Sequence, residues 1–277
     1  MTQKCSPLAL TFTIIMLLSA ACAAPVRIPP TTVPSTSTPI PTDTPVPTPG
    51  TLPNCERAAG RVQQACTSPE TGLHYWAYVP SDSANSPAGL PLLVYLHGFG
   101  HSGSNLDLIL TGGVSAEIEK GRTPALMVVS PQCPFSDNWQ SVEMVERLSR
   151  FVDEMVDTYQ ADPDRVYLTG FSMGGDGVWA VGQAHPQQFA ALLPVASDWY
   201  PRDPTAMCVL RDTPIWVFQS EKDEVVSPKY AKNNVDSIQR CGGAEIQLTL
   251  FSTGWHEQTS QQVYAMAEIY EWLLKQK

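Results

Sequence analysis

At 277 residues, 43% of them hydrophobic, the chain is long enough to bury one sizeable core. Its 27 acidic against 17 basic residues leave a net charge of −10, with no polybasic run anywhere. That balance excludes nucleic acid as a partner and excludes attachment to an anionic bilayer by charge.

Residues 1–21 read as a secretory signal peptide: one positive residue, Lys4, then an apolar stretch over 8–18, then Ser19-Ala20-Ala21 ahead of Cys22. The stretch is too short, and wrongly flanked, for an ordinary membrane-spanning helix. Residues 22–53 follow as a stalk. Of the 29 residues from 25 to 53, ten are proline and eight threonine, so the segment has too little apolar surface to offset its ordering entropy and favours extended polyproline-II conformation.

The globular domain is expected over 54–277. Strands are predicted at 73–79, 91–96 and 125–130, and a helix over 142–159, where Val145, Leu148, Val152, Met155 and Tyr159 share one face. Residues 165–169 form a short buried strand that runs into Gly170-Phe171-Ser172-Met173-Gly174-Gly175. Further strands are predicted at 190–196 and 215–218. A helix then opens at Ser227-Pro228, a last strand spans 245–251, and a closing helix begins with a capping box at 259–262 and runs to Leu274. Strands alternating with helices give an α/β fold whose mostly parallel sheet is covered on both faces.

Beyond Cys5 and Cys22 five cysteines remain, and none has metal-ligand spacing. In an exported chain they can oxidise. The expected pairs are Cys55–Cys66 and Cys208–Cys241, with Cys133 left as a buried free thiol, although spacing alone does not fix the connectivity.

The Gly-x-Ser-x-Gly turn has a physical reading. Small neighbours two residues either side let strand and helix approach closely, and the bend lifts the serine hydroxyl to the positive end of the following helix. A serine is a poor nucleophile until a base takes its proton, and that base needs a carboxylate to orient it. His185 lies about four turns along the helix after Ser172, too far to serve, which leaves His256 downstream.

The GFSMGG turn and the His97-Gly98-Phe99-Gly100 turn together resemble the α/β-hydrolase fold. More narrowly, 91–139 and 162–191 resemble secreted feruloyl esterases, polyhydroxybutyrate depolymerases and dienelactone hydrolase-like proteins, some of which are labelled peptidases. The resemblance implies Ser172 as nucleophile and His256, in the loop after the last strand, as base. It implies Asp223 as the acid, since Gln219 to Val226 is similar to the family's HGxxDxxV turn with Gln219-Ser220 in place of His-Gly. Asp198, Glu221 and Glu224 remain as rivals for the acid. The N–H groups of Met173 and Phe99 are the expected oxyanion donors, and His97 is expected to brace its own loop. Trp139, Trp199 and Trp255 are candidates to line a substrate pocket, and Asp176 to complement the helix N-terminus. Separately, 18–22 resembles the lipobox of bacterial lipoproteins, with Ser19 where leucine is usual. Cleavage before Cys22 and lipidation of its thiol would anchor the protein to a membrane surface without a spanning helix; plain secretion is the alternative.

These residues imply an exported serine carboxylic-ester hydrolase acting through an acyl-enzyme on a small or polymer-borne ester, with neither metal nor organic cofactor. Two other readings stay open: a peptidase using the same three residues, and a non-catalytic surface binding module.

Overall fold

The apolar runs of the sequence become the strands of one twisted sheet. The computed structural model describes residues 54–56, 61–81, 89–201, 203–242 and 245–277. The predicted leader at 1–21, Cys22 and the stalk at 22–53 lie outside the described residues.

Among the described residues the sheet has nine strands: β1 (Cys55–Glu56), β2 (Gln64–Thr67), β3 (His74–Tyr78), β4 (Leu92–Leu96), β5 (Met127–Pro131), β6 (Val166–Phe171), β7 (Ala191–Val195), β8 (Ile215–Ser220) and β9 (Ile246–Phe251). Their order across the sheet is β1-β2-β3-β5-β4-β6-β7-β8-β9. The pairs from β5 through β4 to β9 are parallel, so those strands end at one edge, while β1, β2 and β3 add on antiparallel. The helices are α1 (Gly113–Glu119), α2 (Val142–Tyr159), α3 (Met173–Ala184), α4 (Pro228–Arg240), α5 (His256–Ala265) and α6 (Ala267–Leu273).

Side-chain alternation along each strand builds two cores. Leu92, Val94 and Leu96 of β4 pack with the apolar faces of α2, α3 and α4 on one side. Leu93 and Tyr95 pack with α1, α5 and α6 on the other. The α2 face follows its sequence periodicity: Val145, Leu148, Val152 and Met155 are buried, and Ser141 caps the helix by accepting from the Met144 N–H. The helix after Ser227-Pro228 also starts where expected, with Ser227 accepting from the Lys229 N–H.

The structure differs from the sequence expectation in three places. β1 and β2 were absent from the sequence reading because they are very short and carry the polar, yet buried, Gln64. The closing helix opens at His256, not at 259–262; Trp255 takes the cap position, and its N–H donates to Gln258 Oε1 at 3.4 Å. That helix is also interrupted, since Met266 adopts extended backbone between α5 and α6.

Disulfides join Cys55 to Cys66 across β1 and β2, and Cys208 to Cys241 at the end of α4. Cys133 is free and buried. No helix among the described residues is long and apolar enough to cross a membrane.

The close approach of α3 to the sheet rests on two glycines. A Cβ on Gly174 would lie 2.0 Å from the Leu96 carbonyl oxygen, and one on Gly170 would lie 2.3 Å from the Gly174 oxygen. Both obstacles are backbone, which cannot step aside. Gly174→Ala is therefore expected to cost more than about 3 kcal/mol of stability. Thermal unfolding measures this, and a melting temperature equal to wild type would contradict the packing described.

Candidate active site

Ser172 stands at the junction of β6 and α3 with φ 55° and ψ −121°. A positive φ is uncommon for a residue with a Cβ and is held only where surrounding contacts over-determine it. Here the Ser172 N–H donates to Val195 O at 2.9 Å, and the Ser172 carbonyl accepts from the Asp176 N–H at 3.0 Å. The hydroxyl is thereby fixed at the strand edge, at the first turn of α3.

The base arrives from the opposite end of the sequence. β9 lies beside β8, and the chain leaving β9 enters α5 at His256, which is 7% exposed. His256 Nε2 lies 2.8 Å from Ser172 Oγ, and Nδ1 lies 2.8 Å from Asp223 Oδ2. This pairing gives the ring a tautomer: Nδ1–H donates to the carboxylate and Nε2 accepts from the hydroxyl. The ring packs against Phe171, with centroids 4.7 Å apart.

Asp223 sits in the turn after β8 with its side chain sequestered from solvent. Oδ1 accepts from the N–H groups of Val225 (2.9 Å) and Val226 (2.8 Å); Oδ2 accepts from Gln219 Nε2 (2.9 Å) and His256. Burial alone would raise its pKa, but hydrogen bonds from His256 and the two backbone amides, with the histidine's charge, hold it below the ordinary carboxylate value. Asp198 is exposed and does not meet His256, and Glu221 and Glu224 are exposed turn residues.

Gln219 and Ser220, the two departures from the HGxxDxxV pattern, tie this region together. Gln219 Nε2 also donates to Val226 O at 3.1 Å, closing the acid turn. Ser220 Oγ donates to the Gly254 carbonyl, bridging the acid loop to the histidine loop. The sequence does not show either: the Gln219 bonds depend on the shape of the turn after β8, and the Ser220 bond on bringing Gly254 alongside it through the β8–β9 pairing.

The expected oxyanion residues lie at the same edge. Leu96 pairs with Gly170, so the residues following β4 run beside those following β6. Met173 opens α3, where N–H groups have no intrahelical acceptor, and Phe99 opens a short turn of helix after Gly98. His97 braces this loop. Its Nδ1–H donates to Gly98 O at 2.7 Å, and its Nε2 accepts the Cys133 N–H at 3.0 Å. Burial lowers its pKa to about 4, so it stays neutral and keeps both bonds.

The tryptophans separate. Trp139 is fully buried, with Nε1 donating to His97 O at 2.9 Å and its ring against the His97 ring, so it is a core brace rather than a pocket wall. Trp199 is half-buried just beyond β7. Trp255 is 59% exposed beside His256. The ring of Phe99, expected only as a backbone donor, pairs with Phe135, which the sequence did not single out: they are 60% and 71% exposed, with ring centroids 5.8 Å apart. Among the described residues no group of three or more His, Cys, Asp or Glu side chains could hold a metal ion.

Asp176 does more than face the helix dipole. It is buried, and Oδ1 accepts from Ser197 Oγ and from the N–H groups of Asp198 and Trp199.

No family model matches the chain. It is 30% identical over 141 residues to poly(3-hydroxyalkanoate) depolymerase C of Paucimonas lemoignei, covering 46% of this chain and 32% of that protein. It is 26% identical over 190 residues to the candidate esterase NocK of Nocardia uniformis subsp. tsuyamanensis, covering 66% of this chain and 54% of that one. Among solved structures, a thermostable esterase superposes with a TM-score of 0.63 at 27% identity, over 77% of this chain and 62% of its own. The chain has the α/β-hydrolase fold. The chain thus spans from about a third to just under two thirds of the length of the relatives it matches.

The buried Asp176 carboxyl has a consequence that needs no substrate to observe. Burial raises the Asp176 pKa from 3.8 to about 7; the Ser197 hydrogen bond opposes this, and the charge and carboxyl of Asp198 add to it. A raised acid pKa means that the folded state binds the proton more tightly, so stability falls as pH climbs from about 4 to about 7. Asp176→Asn removes that loss. From pH 5 to pH 8 its stability is expected to improve relative to wild type by on the order of 2 kcal/mol, read by chemical denaturation. A difference independent of pH would contradict the buried ionisable carboxyl.

Proposed function

We propose that this chain is an exported serine carboxylic-ester hydrolase. One observation carries the reading: the continuous hydrogen-bond chain from Ser172 Oγ through His256 to Asp223, with both links at 2.8 Å. It stands on a fold whose matched relatives are named as esterases and as a polyester depolymerase.

His256 Nε2 takes the Ser172 proton as Oγ attacks the ester carbonyl carbon. The carbonyl π electrons move to oxygen, and the oxyanion is met by the N–H groups of Met173 and Phe99. Collapse expels the alcohol, which takes the proton from the imidazolium. Water, deprotonated by His256, then attacks the acyl-enzyme and returns Ser172 with release of the carboxylic acid. Asp223 stays ionised throughout: its depressed pKa keeps it a carboxylate that stabilises the imidazolium without accepting its proton.

Ser172→Ala is expected to lower kcat on p-nitrophenyl acetate by roughly 10⁶-fold, and Asp223→Asn by roughly 10⁴-fold. Fluorophosphonate labelling confined to residue 172 would accompany this. Near-wild-type turnover by Ser172→Ala would overturn the assignment. Peptide anilides in the same assay discriminate the peptidase reading, and ester turnover without anilide turnover supports the one proposed here.

Export rests on 1–21, and anchoring on Cys22. Intact-mass analysis of protein recovered from the membrane fraction of a bacterial host is expected to show an N-terminal acylated Cys22 and no residues before it. An unmodified N-terminus in the culture medium would favour plain secretion.

A further inference from the structure

The first turn of α3 holds a buried acid that the acyl-transfer chemistry does not use. Asp176 is 5% exposed and lies four residues after Ser172. A carboxylate at a helix N-terminus interacts favourably with the helix dipole while facing solvent; burying it adds a desolvation cost with no need for one. What Asp176 gains in exchange is a segment of chain. Oδ1 accepts from Ser197 Oγ at 2.7 Å, from the Asp198 N–H at 3.1 Å and from the Trp199 N–H at 3.0 Å.

That segment adjoins the nucleophile directly. It leaves β7 at Val195, whose carbonyl accepts the Ser172 N–H, and passes through Ala196, held at φ 49°. It presses on the first turn of α3 so tightly that a Cβ on Gly175 would lie 2.8 Å from Val195 O and 3.0 Å from Ser197 Cβ. From the far side, Asn234 Nδ2 of α4 donates to Trp199 O at 2.8 Å. Both backbone polar atoms of Trp199 are therefore clamped, one from the nucleophile helix and one from α4. Its large ring is half-buried against the core on the α3 and α4 side, four residues beyond the Val195 carbonyl that holds the Ser172 N–H.

We propose that Asp176 is a positioning residue that fixes the 197–199 turn, and with it the Trp199 ring, as a wall against which the apolar part of the ester lies. The inference rests on the ester-hydrolase reading above and assigns one of its substrate contacts.

The test compares wild type with Asp176→Ala, Asp176→Asn and Trp199→Ala on two ester series, one lengthened in the acyl group from acetyl to octanoyl, the other in the alkyl alcohol. Asp176→Ala is expected to raise KM by about 10-fold for the longest members of one series, with kcat changed by less than about threefold. Asp176→Asn keeps an oxygen acceptor at Oδ1 and is expected to restore KM to within about threefold of wild type. Trp199→Ala should reproduce the length-dependent rise, and an unchanged KM in that variant overturns the proposal whether or not Asp176→Ala folds. A loss equal at every length, or a KM unchanged in both series, overturns the proposal while leaving the hydrolase assignment intact. A wild type inert toward both series and toward a fluorophosphonate overturns the hydrolase assignment, and this inference with it.

Discussion

The geometry of the site depends on how near α3 can come to the sheet. Gly170 and Gly174 let helix and strand meet backbone to backbone, and the price is a serine held at positive φ between them. Release that contact and Ser172 would relax to an ordinary helical or extended conformation, taking its hydroxyl away from His256. The strain is local, but its support is distributed. The Val195 carbonyl, the β4–β6 register and the packing of Val178 and Val181 on the sheet all hold the helix in place. The chemistry proposed for Ser172 is therefore a property of the sheet as a whole.

The base and the acid are held differently. Neither belongs to the helix that carries the serine; Asp223 comes from the turn after β8, and His256 from the turn that leads from β9 into α5, at the same edge of the sheet. Such turns would fray if left to solvent. Here Gln219 closes the acid turn on itself, and Ser220 joins it to Gly254, two residues before His256. The four donors to Asp223 also make its orientation insensitive to the loss of any single one. A carboxylate so fully engaged has little freedom to rotate, and the imidazole inherits that fixity through Nδ1.

Much of this was legible in the sequence because it is written locally. The α2 periodicity, the Ser227-Pro228 start and the Gly-x-Ser-x-Gly bend each depend on residues within a few positions of one another. What escaped depends on neighbours far along the chain. β1 and β2 are too short for a pattern, and the buried Gln64 contradicts the rule that polar residues face out. The true start of α5 was hidden because its cap position is occupied by Trp255, which no capping preference suggests. Trp139 looked like a pocket residue from its place in the chain, yet it is spent on the His97 carbonyl. Asp176 has the sequence signature of an ordinary helix N-terminus, and only the fold reveals that its partners sit 21 to 23 residues later.

The cystine between Cys55 and Cys66 bridges facing residues of an antiparallel edge pair. Tension entering at residue 54 passes across sulfur into β2 within one residue, so it bypasses the weak ladder of β1. Peeling from this end would have to begin at β2, which is paired along four residues to β3. Pulling on residue 54 therefore loads β2 and its four-residue pairing with β3, and not the two-residue pairing of β1.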